Sequence, residues 1–149
     1  EHSLEVQLSF LQVMQPQPFT IVPITLMRMD CTQRDVLAQA IAQTLQDSPL
    51  QVGLIASSDM THYESAKSAA AKDQAALKQV IALKAKGFYE TVEARNITAC
   101  WYAPITALIT YAVGVNAKAD LLSYHNSGDI TGDNSSVVGY AAVNFKKTT

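Results

Sequence analysis

Two hydrophobic periods alternate along this chain, and that alternation limits its fold more than any other feature. Four β-rich runs stand out: FTIVPITLM (19–27), QVGLIAS (51–57), ADLLSYH (119–125) and VVGYAAVNF (137–145). Between them lie stretches whose apolar residues recur at helical spacing. Interleaving of this kind predicts an α/β fold with a sheet covered on both faces. The chain has 149 residues, 48% of them hydrophobic, which is enough for one domain with its own core.

The helical stretches have recognisable ends. Thr32 with Asp35 three residues on resembles a capping box, opening a helix whose face is Leu37, Ile41 and Leu45. Asp47-Ser48-Pro49 closes it. Residues 64–72 are small, polar and loop-like at their start. Asp73 is placed to cap the next helix, with Leu77, Val80, Ile81 and Lys84 on one side and Gly87 at its end. A further helical stretch covers 88–95. Pro104 suits the first turn of another helix, which turns Ile105, Leu108, Ile109 and Ala112 inward and stops at Gly114. Pro23 marks the first β-rich run as an edge strand or a bulge. Residues 4–14 fit both periods: Leu4, Val6, Leu8 and Phe10 alternate, while Leu4, Leu8 and Leu11 share one helical face.

Charge and composition exclude several classes. The net charge is −2, the pI is near 5.9, and the densest basic cluster is the pair Lys146-Lys147, so no nucleic-acid footprint is present. No apolar run approaches the roughly 20 residues that span a bilayer. With two cysteines and no secretory signal, the expected compartment is the cytoplasm. The chain opens on Glu1-His2 with an apolar pattern already running, which reads as the middle of something larger.

Chemistry in an α/β fold gathers beyond the carboxyl ends of strands. SSDMTHY follows the 51–57 run and carries Asp59 and His62, which at this spacing can reach one metal or orient one another. On spacing alone, a turn cap at Asp59 and an ordinary surface histidine at His62 is the favoured reading. Cys100 precedes the helix near Pro104, where the helix dipole acidifies a thiol; most free cysteines are simply small buried residues. His2 lies at the edge of the 4–14 segment, and His125 ends the 119–125 run. Cys31 reads as structural. Two imidazoles, a thiolate and a carboxylate suit iron, copper or zinc. The spacings, 60 residues from His2 to His62 and 38 from His62 to Cys100, match no zinc-finger pattern.

Taken in order, EHSLEVQLSFLQ, IVPI, SSDMTHY, Cys100 before Pro104-Ile105, and NSGDITGD with VVGYAA resemble the Memo family over essentially the whole chain. That family includes the B component of the AmmeMemoRadiSam system. Its fold is similar to that of the LigB-type class III extradiol dioxygenases, which are non-haem iron enzymes. The resemblance implies a mixed sheet flanked by helices, with residues 1–149 as the C-terminal portion of one domain. It implies a helix at EHSLEVQL, and an upstream segment that supplies part of the sheet and a further histidine. An exposed apolar seam should mark where that segment packs.

By the same resemblance His2, His62 and Cys100 are metal ligands for Fe(II) or for Cu(I)/Cu(II), within about 6–8 Å of one another. His62 and Asp59 carry proton transfer. The implied activity is redox or oxygen-linked, on a small-molecule substrate. Two alternatives stand beside it: a vestigial pocket that recognises phosphotyrosine-type peptides, and metal-independent nucleophilic catalysis by Cys100 with His62 as base. The chain departs from the family pattern at Ser9, where proline is usual, and at Trp101, where glycine is usual. His125 stands where a small residue is expected. Cys100 replaces the carboxylate of the dioxygenases, which argues against catechol-type ring cleavage.

Overall fold

A computed structural model of the chain describes residues 2–27, 29–98 and 102–148. The elements are α1 (His2–Met14), α2 (Cys31–Gln46), β1 (His62–Glu64), α3 (Ala66–Ile81), α4 (Ala85–Ala94), α5 (Tyr102–Gly114), β2 (Ala117–Asn126), α6 (Gly128–Thr131) and β3 (Val137–Lys147). The fold is mixed α and β. The strands form one sheet in the order β1-β3-β2, and both pairings are antiparallel. No parallel pair is present among the described residues.

Long-range packing decides which strand-like runs become strands. β2 and β3 pair along their length, so Ala119 faces Phe145, Leu121 faces Val143 and Tyr124 faces Ala141. These side chains pack on a core of Met60, Ala76, Leu77, Val80, Phe88, Val92, Ile97 and Ile109, drawn mainly from α3, α4 and α5. The opposite face, with Lys118, Asp120, Leu122, His125, Tyr140 and Lys146, is exposed. The sheet is therefore covered on one face, not two. The runs at 19–27 and 51–57 form no strand. Neither has a neighbouring strand among the described residues to take up its backbone groups, and an extended run without one forms no ladder.

The helix boundaries move for local reasons. α2 is capped by Asp30, whose side chain accepts from Gln33 N at 2.8 Å while Gln33 Oε1 accepts from Asp30 N at 3.1 Å. This reciprocal box lies two residues before the expected Thr32–Asp35 pair and leaves Thr32 inside the first turn. α3 begins at Ala66, capped by Ser65 and not by Asp73, because its first turns are alanine-rich and alanine is the strongest helix former. α3 ends at Ile81, and Leu83, in the turn that follows, has a left-handed backbone (φ 54°). Gly87 lies within α4, where its missing Cβ makes room for the Gln79 side chain of α3. α5 ends at Gly114 as expected.

α1 is helical, as the resemblance implied, yet none of its residues is buried. Phe10, Val13 and Met14 on α1 are exposed, as are Ile21, Val22, Ile24 and Met27, and Val52 and Ile55. Exposed apolar side chains thus recur between residues 10 and 55. No helix of the described residues is long and apolar enough to cross a membrane.

Where α3 passes under the sheet, the fully buried Asp73 meets the backbone of Gly139 on β3. A Cβ at Gly139 would collide with Asp73 Oδ2, so this strand position requires glycine for close approach rather than for its dihedrals. Gly139→Ala should destabilise the fold by about 1–3 kcal/mol, the usual cost of overpacking, as read by denaturant titration. A second prediction concerns acid. Lys72, hydrogen-bonded to Glu64 at 2.5 Å, and then the Ser68 hydroxyl hold the Glu64 carboxyl below its ordinary value of 4.5. The lowered value means that Glu64 stabilises the fold above about pH 4.5 and loses that contribution as pH falls through the folded-state value. The stability difference between the native protein and Glu64→Gln should therefore shrink in acid, as followed by unfolding at a series of pH values.

Candidate functional site

The loop between the 51–57 run and β1 is held from three directions. Met60 N donates to Gly139 O, and Gly139 N donates to Thr61 O, both at 2.9 Å, which ties the loop to β3. From below, Asp73 Oδ1 accepts from Thr61 N at 3.0 Å and from the Thr61 hydroxyl at 2.6 Å. From the side, His62 N donates to Thr98 Oγ1 at 2.7 Å, and the Thr98 hydroxyl donates to His62 O at 3.1 Å. β1 carries a bulge between His62 and Glu64, and Tyr63 between them is left-handed at φ 59°. A non-glycine residue in that region is strained, and such strain concentrates at functional positions. Tyr63 tilts against the imidazole, with ring centroids 5.7 Å apart.

This frame fixes the His62 ring, whose side chain is 11% exposed. Nδ1 lies 2.9 Å from Met60 O. A carbonyl can only accept, so the proton sits on Nδ1, and in the neutral ring Nε2 bears the lone pair. Nε2 is 3.4 Å from Asp59 Oδ2. A lone pair in that position can bind a metal or take up a proton, and the carboxylate can stabilise the resulting imidazolium. The Asp59 charge also acts on Tyr140, the residue after Gly139. Burial first and the Asp59 charge second push the Tyr140 hydroxyl above its ordinary value, so it remains a proton donor at neutral pH.

The other sequence candidates are placed by their own elements. The Ser57 hydroxyl donates to Ser3 O at 2.7 Å, and Gln7 Nε2 donates to Ser57 Oγ at 3.2 Å, so the start of α1 docks two residues before Asp59. The His2 ring itself is 99% exposed, with Nδ1 3.5 Å from Glu5 Oε2. Cys100 lies outside the described residues, as does the side chain of Cys31, whose backbone opens α2. Thr98, two residues before Cys100, is the residue bonded to the His62 backbone. His125 on β2 stands opposite Tyr140, on the exposed face of the sheet, with Nδ1 3.2 Å from Asp129 Oδ2. No group of three His, Cys, Asp or Glu side chains able to hold a metal is found among the described residues.

Sequence reasoning did not single out Thr98, Tyr140, Tyr124 or Asp73 as partners of this loop. One signal pointed to two of them, Asp73 and Tyr124: Gly139 in the middle of the strand VVGYAA, since a strand glycine marks close approach of another group.

The sequence pattern of the family described as Memo-like protein matches residues 1–144. A MEMO1 family protein of Thermoplasma volcanium is 43% identical over 143 residues, covering 96% of this chain and 52% of the relative. One of Methanosarcina barkeri is 42% identical over 144 residues, covering 96% and 54%. One of Sulfolobus acidocaldarius is 39% identical over 145 residues, covering 97% and 51%. The chain thus spans about half the length of the curated relatives it matches. A family match across nearly all of the chain, with relatives about 40% identical over the same span, means that the chain belongs to the Memo family.

Proposed function

We propose that this chain contributes a non-haem iron or copper pocket centred on His62, with His2 and Cys100 as further ligands and Asp59 beside them, used in redox or oxygen-linked chemistry. One observation carries the reading: the Nδ1 of His62 is committed to the Met60 carbonyl at 2.9 Å, which turns Nε2 towards Asp59. A ring nitrogen bonded to a backbone carbonyl fixes the tautomer and raises the basicity of the other nitrogen, the arrangement common to metal-binding histidines. Two contacts add support. Ser57 holds the start of α1 near the loop, and Thr98 brings the chain just ahead of Cys100 against His62. A thiolate beside imidazole suits Cu(I) and Fe(II) better than magnesium or calcium. A cytoplasmic setting, which keeps thiols reduced, suits such a ligand.

Asp59 and Tyr140 then have defined tasks. Asp59 accepts or returns a proton next to the pocket, and Tyr140 offers its hydroxyl as a donor on the same side. The whole protein's substrate and activity, including whether an upstream segment adds another histidine, belong to this proposal. The test is competitive chelator titration with Fe(II) and with Cu(I) under anaerobic, reducing conditions. His62→Ala and Cys100→Ser should each weaken binding by at least 10–100-fold, the loss typical of a second-shell partner alone. Native affinity in both variants would overturn the pocket.

A further inference from the structure

We propose that Asp73 is a positioning residue for His62: by holding Thr61 it fixes the Met60 carbonyl and so the tautomer of the imidazole. The proposal rests on the reading of His62 as the centre of the pocket. Asp73 lies in the middle of α3, fully buried and far from any solvent role. Its two oxygens act as acceptors for three donors: Thr61 N at 3.0 Å, the Thr61 hydroxyl at 2.6 Å and the Tyr124 hydroxyl at 2.8 Å.

The placement of these bonds is specific. A buried carboxylate is costly to desolvate, and a helix-to-sheet contact could be apolar without loss of packing. Here the carboxylate grips the one residue that lies between the carbonyl and the ring it orients. Thr61 is also fully buried, so its N–H has no solvent to turn to. Gly139 completes the clamp, leaving room for Asp73 Oδ2 and bonding to both Met60 and Thr61. Release Thr61 from below and the peptide plane that carries the Met60 carbonyl keeps only the bond to the His62 ring, while β3 holds the planes on either side. The imidazole can then revert to the Nε2–H tautomer that histidine favours in water, and the lone pair moves to the wrong nitrogen.

The test reads the tautomer directly, in the metal-free protein, from the ¹⁵N shifts and long-range couplings of the His62 ring. The native protein should show the Nδ1–H form. Asp73→Ala should shift the ring to the Nε2–H form. Asp73→Asn should restore the native pattern, because its carbonyl oxygen can still accept from Thr61 while the Tyr124 hydroxyl accepts from its amide. If Asp73→Ala does not fold, Thr61→Val, which removes the 2.6 Å hydroxyl bond, carries the test and should shift the ring part of the way, whereas Thr61→Ser should not. A merely structural Asp73 would lower stability and leave the folded-state tautomer unchanged. A native tautomer in folded Asp73→Ala, or failing that in folded Thr61→Val, would overturn the proposal. No metal is needed for this readout, so its failure is distinct from a failure of the metal titration.

Discussion

Everything near His62 depends on a carboxylate placed where water cannot reach it. Asp73 joins a helix, a loop and a strand through hydrogen bonds that none of the three could exchange for solvent. An unpaired buried group costs about 1–3 kcal/mol and a charged one more, so the three segments stay together or come apart together. The same burial, with Asp73 as partner, keeps the Tyr124 hydroxyl well above its ordinary value and therefore a donor. Among the described residues no buried side-chain nitrogen or oxygen lacks a hydrogen-bond partner. The core tolerates a charge because its donors are complete.

Helix positions were legible in the sequence where a periodic face coincided with a real stop, as at Gly114 and at Asp47. β2 and β3 were legible for a similar reason, since each has an alternating face and a partner of matching length. Asp73 was misread because an aspartate before an apolar face looks the same whether it caps a helix or dives beneath a sheet. Only the position of β3 distinguishes the two, and that is information about distant sequence. The runs at 19–27 and 51–57 show the same limit from the other side. Their composition is that of strands, but a strand is a relation between segments, and composition describes only one of them.

The candidate site divides in a comparable way. Asp59 and His62 were legible because the acid and the imidazole share one short loop. His2 and Cys100 were candidates by their local positions, but the family resemblance, not the spacing, joined them to His62 in one site. Tyr140 and Thr98 reach the loop through strand pairing and a 36-residue return of the chain, and neither leaves a local mark. The exposed face of the sheet adds a related point: register alone sets His125 opposite Tyr140, the tyrosine that feels the Asp59 charge.

α1 has 13 residues, none of them buried, and Ser57 bonds to it at Ser3 and Gln7. A helix of that length is marginal in water when left to itself. Its helicity and its docking are therefore a single local folding equilibrium, and its amides should exchange well before those of α3. Any ligand that engages His2 draws on this equilibrium, and its apparent affinity scales with the fraction of molecules in which the helix is formed and docked. Were His2 to hold a ligand as proposed, its affinity would be set by a folding constant as much as by donor chemistry.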